Sequence, residues 1–162
     1  MKLRKLKRTD APLMLEWMHD DSVVHDMRTD FSTKTLEDCI NFIELADDDS
    51  EYLHLAVVDD NDEYMGTVSL KHIKDSNAEF GITVRKCAMG KGYSKYGMNQ
   101  IINIGFRKLK LTCVYWCVDP HNERAIRFYD KNEYERCDCP NHVKWYKKKK
   151  KKRFIWYSVQ KK

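Results

Sequence analysis

The chain has 162 residues, of which 42% are hydrophobic, 12% aromatic and 34% charged, enough apolar material for a core of its own. That composition excludes disorder as a whole, and no apolar run approaches the ~20 residues that a membrane-spanning helix needs. The net charge of +5 is local: residues 147–153 are an unbroken run of seven cations, which leaves the remainder at about −2. Residues 1–8 lack the apolar centre of a signal peptide, so a cytoplasmic protein is expected. The expected organisation is one domain over residues 1–162.

In chain order, residues 3–6 alternate as a first strand, and Thr9 or Asp10 can cap a helix with Pro12 in its first turn. Thr35 and Asp38 resemble a helix start with aspartate where a capping box carries Glu or Gln. Leu36, Cys39, Ile40, Ile43 and Leu45 then mark a second helix. Residues 52–58 and 64–73 are β-rich runs joined by Asp59, Asp60, Asn61 and Asp62 as a hairpin turn. Another turn at residues 75–77 leads into a strand over residues 78–84.

The stretch after that strand is the most informative in the chain. Met89-Gly90-Lys91-Gly92-Tyr93-Ser94 precedes a helical pattern of Met98, Ile101, Ile102, Gly105, Phe106 and Leu109. Two glycines one residue apart permit a tight turn with close approach to a ligand, and the free N–H groups of a helix start attract an anion. Lys91, Arg85 and Lys86 add positive charge. The stretch fits neither the three-glycine dinucleotide fingerprint nor a P-loop, so a plain turn is the alternative.

Residues 112–118 read as a strand buried on both faces, and strand–helix–strand implies a parallel, right-handed crossover. A loop at residues 119–122 leads to a helix over residues 123–131. Residues 134–137 and 154–159 close the chain as two strands, with the basic run as the loop between them. That run reads as a solvated loop, or else as an anion-attracting arm. The six cysteines are read as reduced thiols, with Cys113 and Cys117 as small core residues. Cys137, Cys139 and His142 lack a second ligand pair, so no metal is expected.

Two motifs carry a resemblance. Cys87-Ala88-Met89-Gly90-Lys91-Gly92 lines up with the signature Gln/Arg-x-x-Gly-x-Gly/Ala, with cysteine in the first place. Asn122, Ala125, Tyr129, Lys131, Glu133 and Tyr134 line up with Asn-x-x-Ala-x-x-x-Tyr-x-Lys-x-Gly-Phe, with Glu133 for the glycine and Tyr134 for the phenylalanine. The chain thus resembles the GNAT superfamily of N-acetyltransferases over nearly its whole length. Its nearest branch would be that of the ribosomal-protein N-terminal and nucleotide-amino-sugar acetyltransferases.

The resemblance implies an α+β fold: a mostly antiparallel mixed sheet, splayed between its fourth and fifth strands and flanked by about four helices. It implies acetyl-CoA as cofactor. Ile82 and Val84 would border the pantetheine arm. Met89, Gly90, Lys91, Gly92, Tyr93 and Ser94 would take the pyrophosphate, and Asn122 would contact the pantetheine region. Tyr129 stands at the family's general-acid position, and Glu79 is the candidate base or water-holder, with His72 behind it. Trp17, His19, His25, Met27, Arg28 and Phe31 fall in the segments that line the acceptor site. The expected reaction is direct acetyl transfer to a primary amine of a small molecule, an amino sugar first. The alternatives are the N-terminus of a ribosomal protein, or a non-catalytic acyl-CoA or nucleic-acid binding module using the lysine run. No metal, membrane or nucleic-acid partner is expected, and a homodimer is left open.

Overall fold

The computed structural model describes residues 1–141, 143 and 153–162. Residues 147–152 of the basic run and His142 lie outside the described residues. The elements are β1 (Lys2–Lys5), α1 (Ala11–Met18), α2 (Asp21–Val24), α3 (Leu36–Leu45), β2 (Leu53–Val58), β3 (Tyr64–Lys74), β4 (Asn77–Val84), α4 (Tyr93–Arg107), β5 (Cys113–Val118), α5 (Glu123–Lys131), β6 (Glu135–Cys137) and β7 (Ile155–Gln160).

The helix starts follow from their caps. Asp10, buried at the entry to α1, accepts hydrogen bonds from Arg4 Nη1 (2.7 Å) and the Lys7 amide (2.8 Å), so it ties the helix to β1. At α3, Thr35 Oγ1 accepts from the Asp38 amide while the Asp38 carboxylate accepts from the Thr35 amide. Aspartate therefore completes the reciprocal box that Glu or Gln usually makes. The sequence reading expects about four helices; the fifth among the described residues is α2, a single turn capped by Asp20 accepting from the Ser22 amide. One turn is too short to show a 3.6-residue period.

Among the described residues the sheet has seven strands in the order β1-β2-β3-β4-β5-β7-β6. Strands β1 to β4 run antiparallel, β4 pairs β5 in parallel, and β7 inserts between β5 and β6. The β4–β5 pairing covers only Asn77↔Cys113, Ala78↔Val114 and Glu79↔Tyr115. Beyond Glu79 the two strands part, and the edge of β4 from Phe80 to Val84 is released from β5.

Strand alternation divides the core. One face carries Val57, Val68, Leu70 and Phe80 against Met98 and Ile101 of α4 and Tyr129 of α5. The other carries Ala56, Val58 and Tyr64 against Met14 and Trp17 of α1 and Cys39 and Ile43 of α3. Helix α4 lies very near the sheet: a Cβ on Gly97 would stand 2.8 Å from Val57 Cγ2. The end of α5 is a Schellman closure, with the Tyr134 amide bonded to Tyr129 O (3.2 Å) and the Glu133 amide to Asp130 O (3.0 Å). Glu133 occupies its left-handed position at φ 59°, where the family signature has glycine.

Candidate active site

The turn after β4 is made by backbone. A 3-10 turn, Lys86–Ala88, leads to Met89 in extended conformation, then Gly90 at φ 73° and Gly92 at φ 87°, and Gly92 caps α4. Both glycines sit in the left-handed region that other residues avoid, and no described atom lies within 4 Å of where a Gly90 Cβ would be. The first N–H groups of α4 therefore face open space at the positive end of a helix dipole.

That turn, the released edge of β4 and α5 bound a cleft of about 190 Å³. Of the residues expected there, Ile82, Val84, Met89, Gly90, Ser94, Asn122 and Tyr129 line it. Lys91, Gly92 and Tyr93 shape the turn without lining the cleft. Asn122 Oδ1 accepts from the Ala125 amide (3.0 Å) and so caps α5, which leaves its amide nitrogen for other contacts. Tyr129 is buried among Trp116, Phe128, Tyr134 and Tyr157. Burial, then the neighbouring tyrosines, raises its pKa, so the phenol keeps its proton at neutral pH. Among the described residues its hydroxyl makes no hydrogen bond.

Two charges differ from the sequence reading. Arg85 does not serve the turn: it is buried and bonded to Glu16 (2.9 Å), Glu63 (2.6 Å) and Tyr64 O (3.1 Å). Those carboxylates hold its charge inside the fold, while Lys86 and Lys91 remain exposed. The cation that does line the cleft is Arg124, which sequence reasoning missed. It donates to Ser22 O (3.0 Å) and Val23 O (3.2 Å), and so ties α2 to α5 beside the cleft. Its position in the first turn after Asn122 was the available signal.

A second cleft of about 400 Å³ opens on the other face of the sheet. Its floor is His54 from β2, Thr67, Ser69 and Lys71 from β3, and Gly81 and Thr83 from β4. Register brings them together: His54 faces Ser69 and Ser69 faces Gly81. Its walls include Trp17 and Phe31, whose rings meet edge-on at 5.1 Å. Trp17 is also a core residue, its Nε1 donating to Tyr64 Oη at 3.0 Å. Ile82 and Thr83 line both clefts.

The other expected acceptor residues are dispersed. Met27 lines the cofactor-side cleft. His19, His25 and Arg28 line a depression beside α2 that adjoins the second cleft at Met18, Thr29 and Phe31 and the first cleft at Met27; there His19 Nε2 is bonded to Lys34 O (2.8 Å) and His25 Nε2 meets Asp26 (2.9 Å). Arg28 instead reaches Glu79 at 2.5 Å. Glu79 is 2% exposed, lines neither of the two clefts, and has Lys71 Nζ at 3.5 Å and His72 Nε2 at 3.7 Å. Among the described residues no group of three or more His, Cys, Asp or Glu could hold a metal ion, and no helix is long and apolar enough to cross a membrane.

The Acetyltransferase (GNAT) domain matches residues 1–135. The chain belongs to the GNAT acetyltransferase family. It is 26% identical over 141 residues to an uncharacterised N-acetyltransferase, p20, of Bacillus licheniformis, covering 83% of this chain and 78% of that protein. It is 32% identical over 139 residues to the spermidine N(1)-acetyltransferase of Escherichia coli K12, covering 81% and 70%. Its fold matches the spermidine N-acetyltransferase of Vibrio cholerae solved with CoA and spermine, with TM-score 0.77, 17% identity, and coverage of 98% and 94%.

As a GNAT acetyltransferase the chain is an enzyme that acetylates amines, and GNAT enzymes use acetyl-CoA. Its residues fit that cofactor. Left-handed glycines leave an open, amide-lined turn for the pyrophosphate, and the β4 edge is free to pair with an extended arm.

Proposed function

We propose that this enzyme transfers the acetyl group directly to the primary amine of a small molecule that is not a polycation, with an amino sugar as the leading class. One observation carries the reading: the two clefts share Ile82 and Thr83, so a cofactor face and an acceptor face meet across β4. Acetyl-CoA supplies the activated acetyl group. The amides from Gly90 to Ser94, with the Ser94 hydroxyl, hold its pyrophosphate; Ile82 and Val84 border its arm; and Asn122 supplies a further polar contact. Tyr129 keeps a proton at Oη where a departing sulfur needs one. Glu79, ion-paired with Arg28 and Lys71 outside both clefts, acts on the acceptor floor by fixing the Lys71 ammonium, and the proton of the amine leaves to water in the cleft.

Charge supports the acceptor class. Lys34 and Lys71 line the acceptor cleft against one lining carboxylate, Asp38, whose Oδ2 accepts from the Thr35 amide and hydroxyl, so the charged lining is net positive. The Escherichia coli relative is named for spermidine, a polycation, and a polycation would meet two lysines here. Trp17 and Phe31 suit the apolar face of a sugar ring.

The test is thermal unfolding with acetyl-CoA, followed by turnover of glucosamine, spermidine and an alanyl peptide. Cofactor at about 100 Kd should raise the midpoint by roughly 5–10 °C. Glucosamine should be preferred over spermidine, and Lys71→Met should move that preference about tenfold toward spermidine. No midpoint shift would abandon catalysis in favour of a binding module, and peptide preference would move the acceptor to a protein N-terminus.

A further inference from the structure

The acceptor cleft contains a polar pair to which the proposed transfer assigns no role. Thr67 is already placed: its hydroxyl bonds Tyr64 Oη (2.7 Å), which in turn receives Trp17 Nε1. The pair of His54 and Ser69 differs. His54 Nδ1 lies 2.7 Å from Ser69 Oγ, and both residues line the cleft. The imidazole is held between Phe42 (4.7 Å) and Tyr52 (5.9 Å, nearly parallel). Burial, then Lys71, lowers its pKa to about 4, against a small opposite pull from Asp49. Lys34 and Asp38 face the same cleft from the preceding loop and α3.

A neutral imidazole has one bare nitrogen and one N–H. With Nδ1 as the bare nitrogen, the Ser69 hydroxyl hydrogen is directed at His54, and the oxygen lone pairs are left for the cleft. Ser69 faces Gly81 in the register, and Gly81 belongs to the part of β4 that β5 has released. Of the described atoms, only Lys71 Cε (3.3 Å) and Nζ (3.4 Å) come within 4 Å of a Gly81 Cβ position. The Lys71 side chain therefore covers Gly81 beside Ser69 and reaches Glu79 (3.5 Å), so Ser69 and Lys71 together form the floor of the cleft next to the released part of β4.

We propose that Ser69 holds the attacking amine, its oxygen accepting a hydrogen bond from the amine N–H and its own hydrogen fixed on His54 Nδ1, so that the nitrogen lone pair is left free to attack the thioester. His54 acts through Ser69 and is a positioning residue. It is not the proton store, because a base with a pKa near 4 is a poor acceptor at neutral pH. The proposal rests on reading this cleft as the acceptor site.

The experiment uses the full chain with histidine labelled in ¹⁵N, coenzyme A bound, and glucosamine as the probe. The His54 Nδ1 resonance should move on adding glucosamine in the wild type and stay fixed in Ser69→Ala. With acetyl-CoA, Ser69→Ala and His54→Leu should each lower kcat/KM for glucosamine about tenfold, and the double variant should be no worse than either alone. His54→Asn, whose carbonyl oxygen can stand where Nδ1 stands, should recover most of the loss. Limbs of the pH–rate profile should be the same in wild type and His54→Leu.

Stability gives a readout free of any acceptor. The unfolded state takes up a proton near pH 6.5 and the folded state only near 4, so stability is full above 6.5 and declines as pH falls toward 4. His54→Leu should remove the part of that decline between pH 6.5 and about 5 and leave the steeper loss nearer 4, where the aspartates held below their usual range begin to take up protons in the unfolded state. An unmoved Nδ1, additive losses, failure of the asparagine rescue, an unchanged decline between pH 6.5 and about 5 in His54→Leu, or a variant that no longer responds to coenzyme A would each overturn the assignment. A wild-type chain whose midpoint ignores coenzyme A would instead remove the function on which it rests.

Discussion

The two sides of β4 are built by different means. The side we read as taking the cofactor is built around backbone from a short continuous stretch, from Val84 to the first turn of α4, with the start of α5 and side chains such as Met27, Arg124 and Tyr129 closing the cleft. The acceptor side consists of side chains from α1, α3, β2, β3 and β4, which register brings together over distances of tens of residues. Backbone sites are robust to most substitutions and fail at the few positions where conformation is special. Side-chain sites are open to change at each position, which is why one fold can serve many acceptors.

The sharpest way to break the cofactor side is Gly90→Asp. It adds a carboxylate where we propose the pyrophosphate binds and forces an L-residue to φ 73°. Acetyl-CoA affinity should fall by at least about 100-fold in a calorimetric titration, since like charges in contact cost several kcal/mol. Unchanged affinity would mean that the turn does not hold the pyrophosphate.

Tyr129→Phe tests the phenol that lines the first cleft. It removes one oxygen and leaves the aromatic packing with Trp116 and Tyr157 in place. We expect kcat to drop by about 10- to 100-fold with KM for both substrates little changed. Equal activity in the phenylalanine variant would make this tyrosine a packing residue.

Glu133→Gly is the smallest effect and sharpens the role of backbone. Glu133 sits left-handed in the Schellman closure that also anchors the carbonyl of Tyr129. Relieving that conformation should stabilise the chain by roughly 0.5–1 kcal/mol in denaturant unfolding, without altering kcat. A loss of stability would show that the Glu133 side chain makes up for its strain.

The same division explains what the sequence disclosed. The strand–turn–helix around Gly90 was legible because glycine spacing and helix periodicity are local. So was the α5 span, which the structure places at Glu123–Lys131 as expected. The pairing of His54 with Ser69 was not legible, because it exists only once β2 and β3 are in register. Arg85 misled because proximity in sequence to the glycine turn suggested a phosphate contact. Its side chain instead turns inward to Glu16, 69 positions earlier. The expected acceptor set spans two adjoining hollows, with Trp17 in the acceptor cleft, His25 and Arg28 beside α2 and Phe31 in both, and a one-turn helix such as α2 carries no periodic signal from which that arrangement could be read.

Ile82 and Thr83, common to both clefts, have a consequence for the order of events. With separate mouths on opposite faces of the sheet, neither substrate must leave before the other enters. A ternary complex can then assemble by either route, and each product can depart through the mouth by which its parent arrived. In steady-state terms the double-reciprocal lines for the two substrates intersect, and a dead-end amine competes with the amine while leaving the occupancy of the thioester site unaffected.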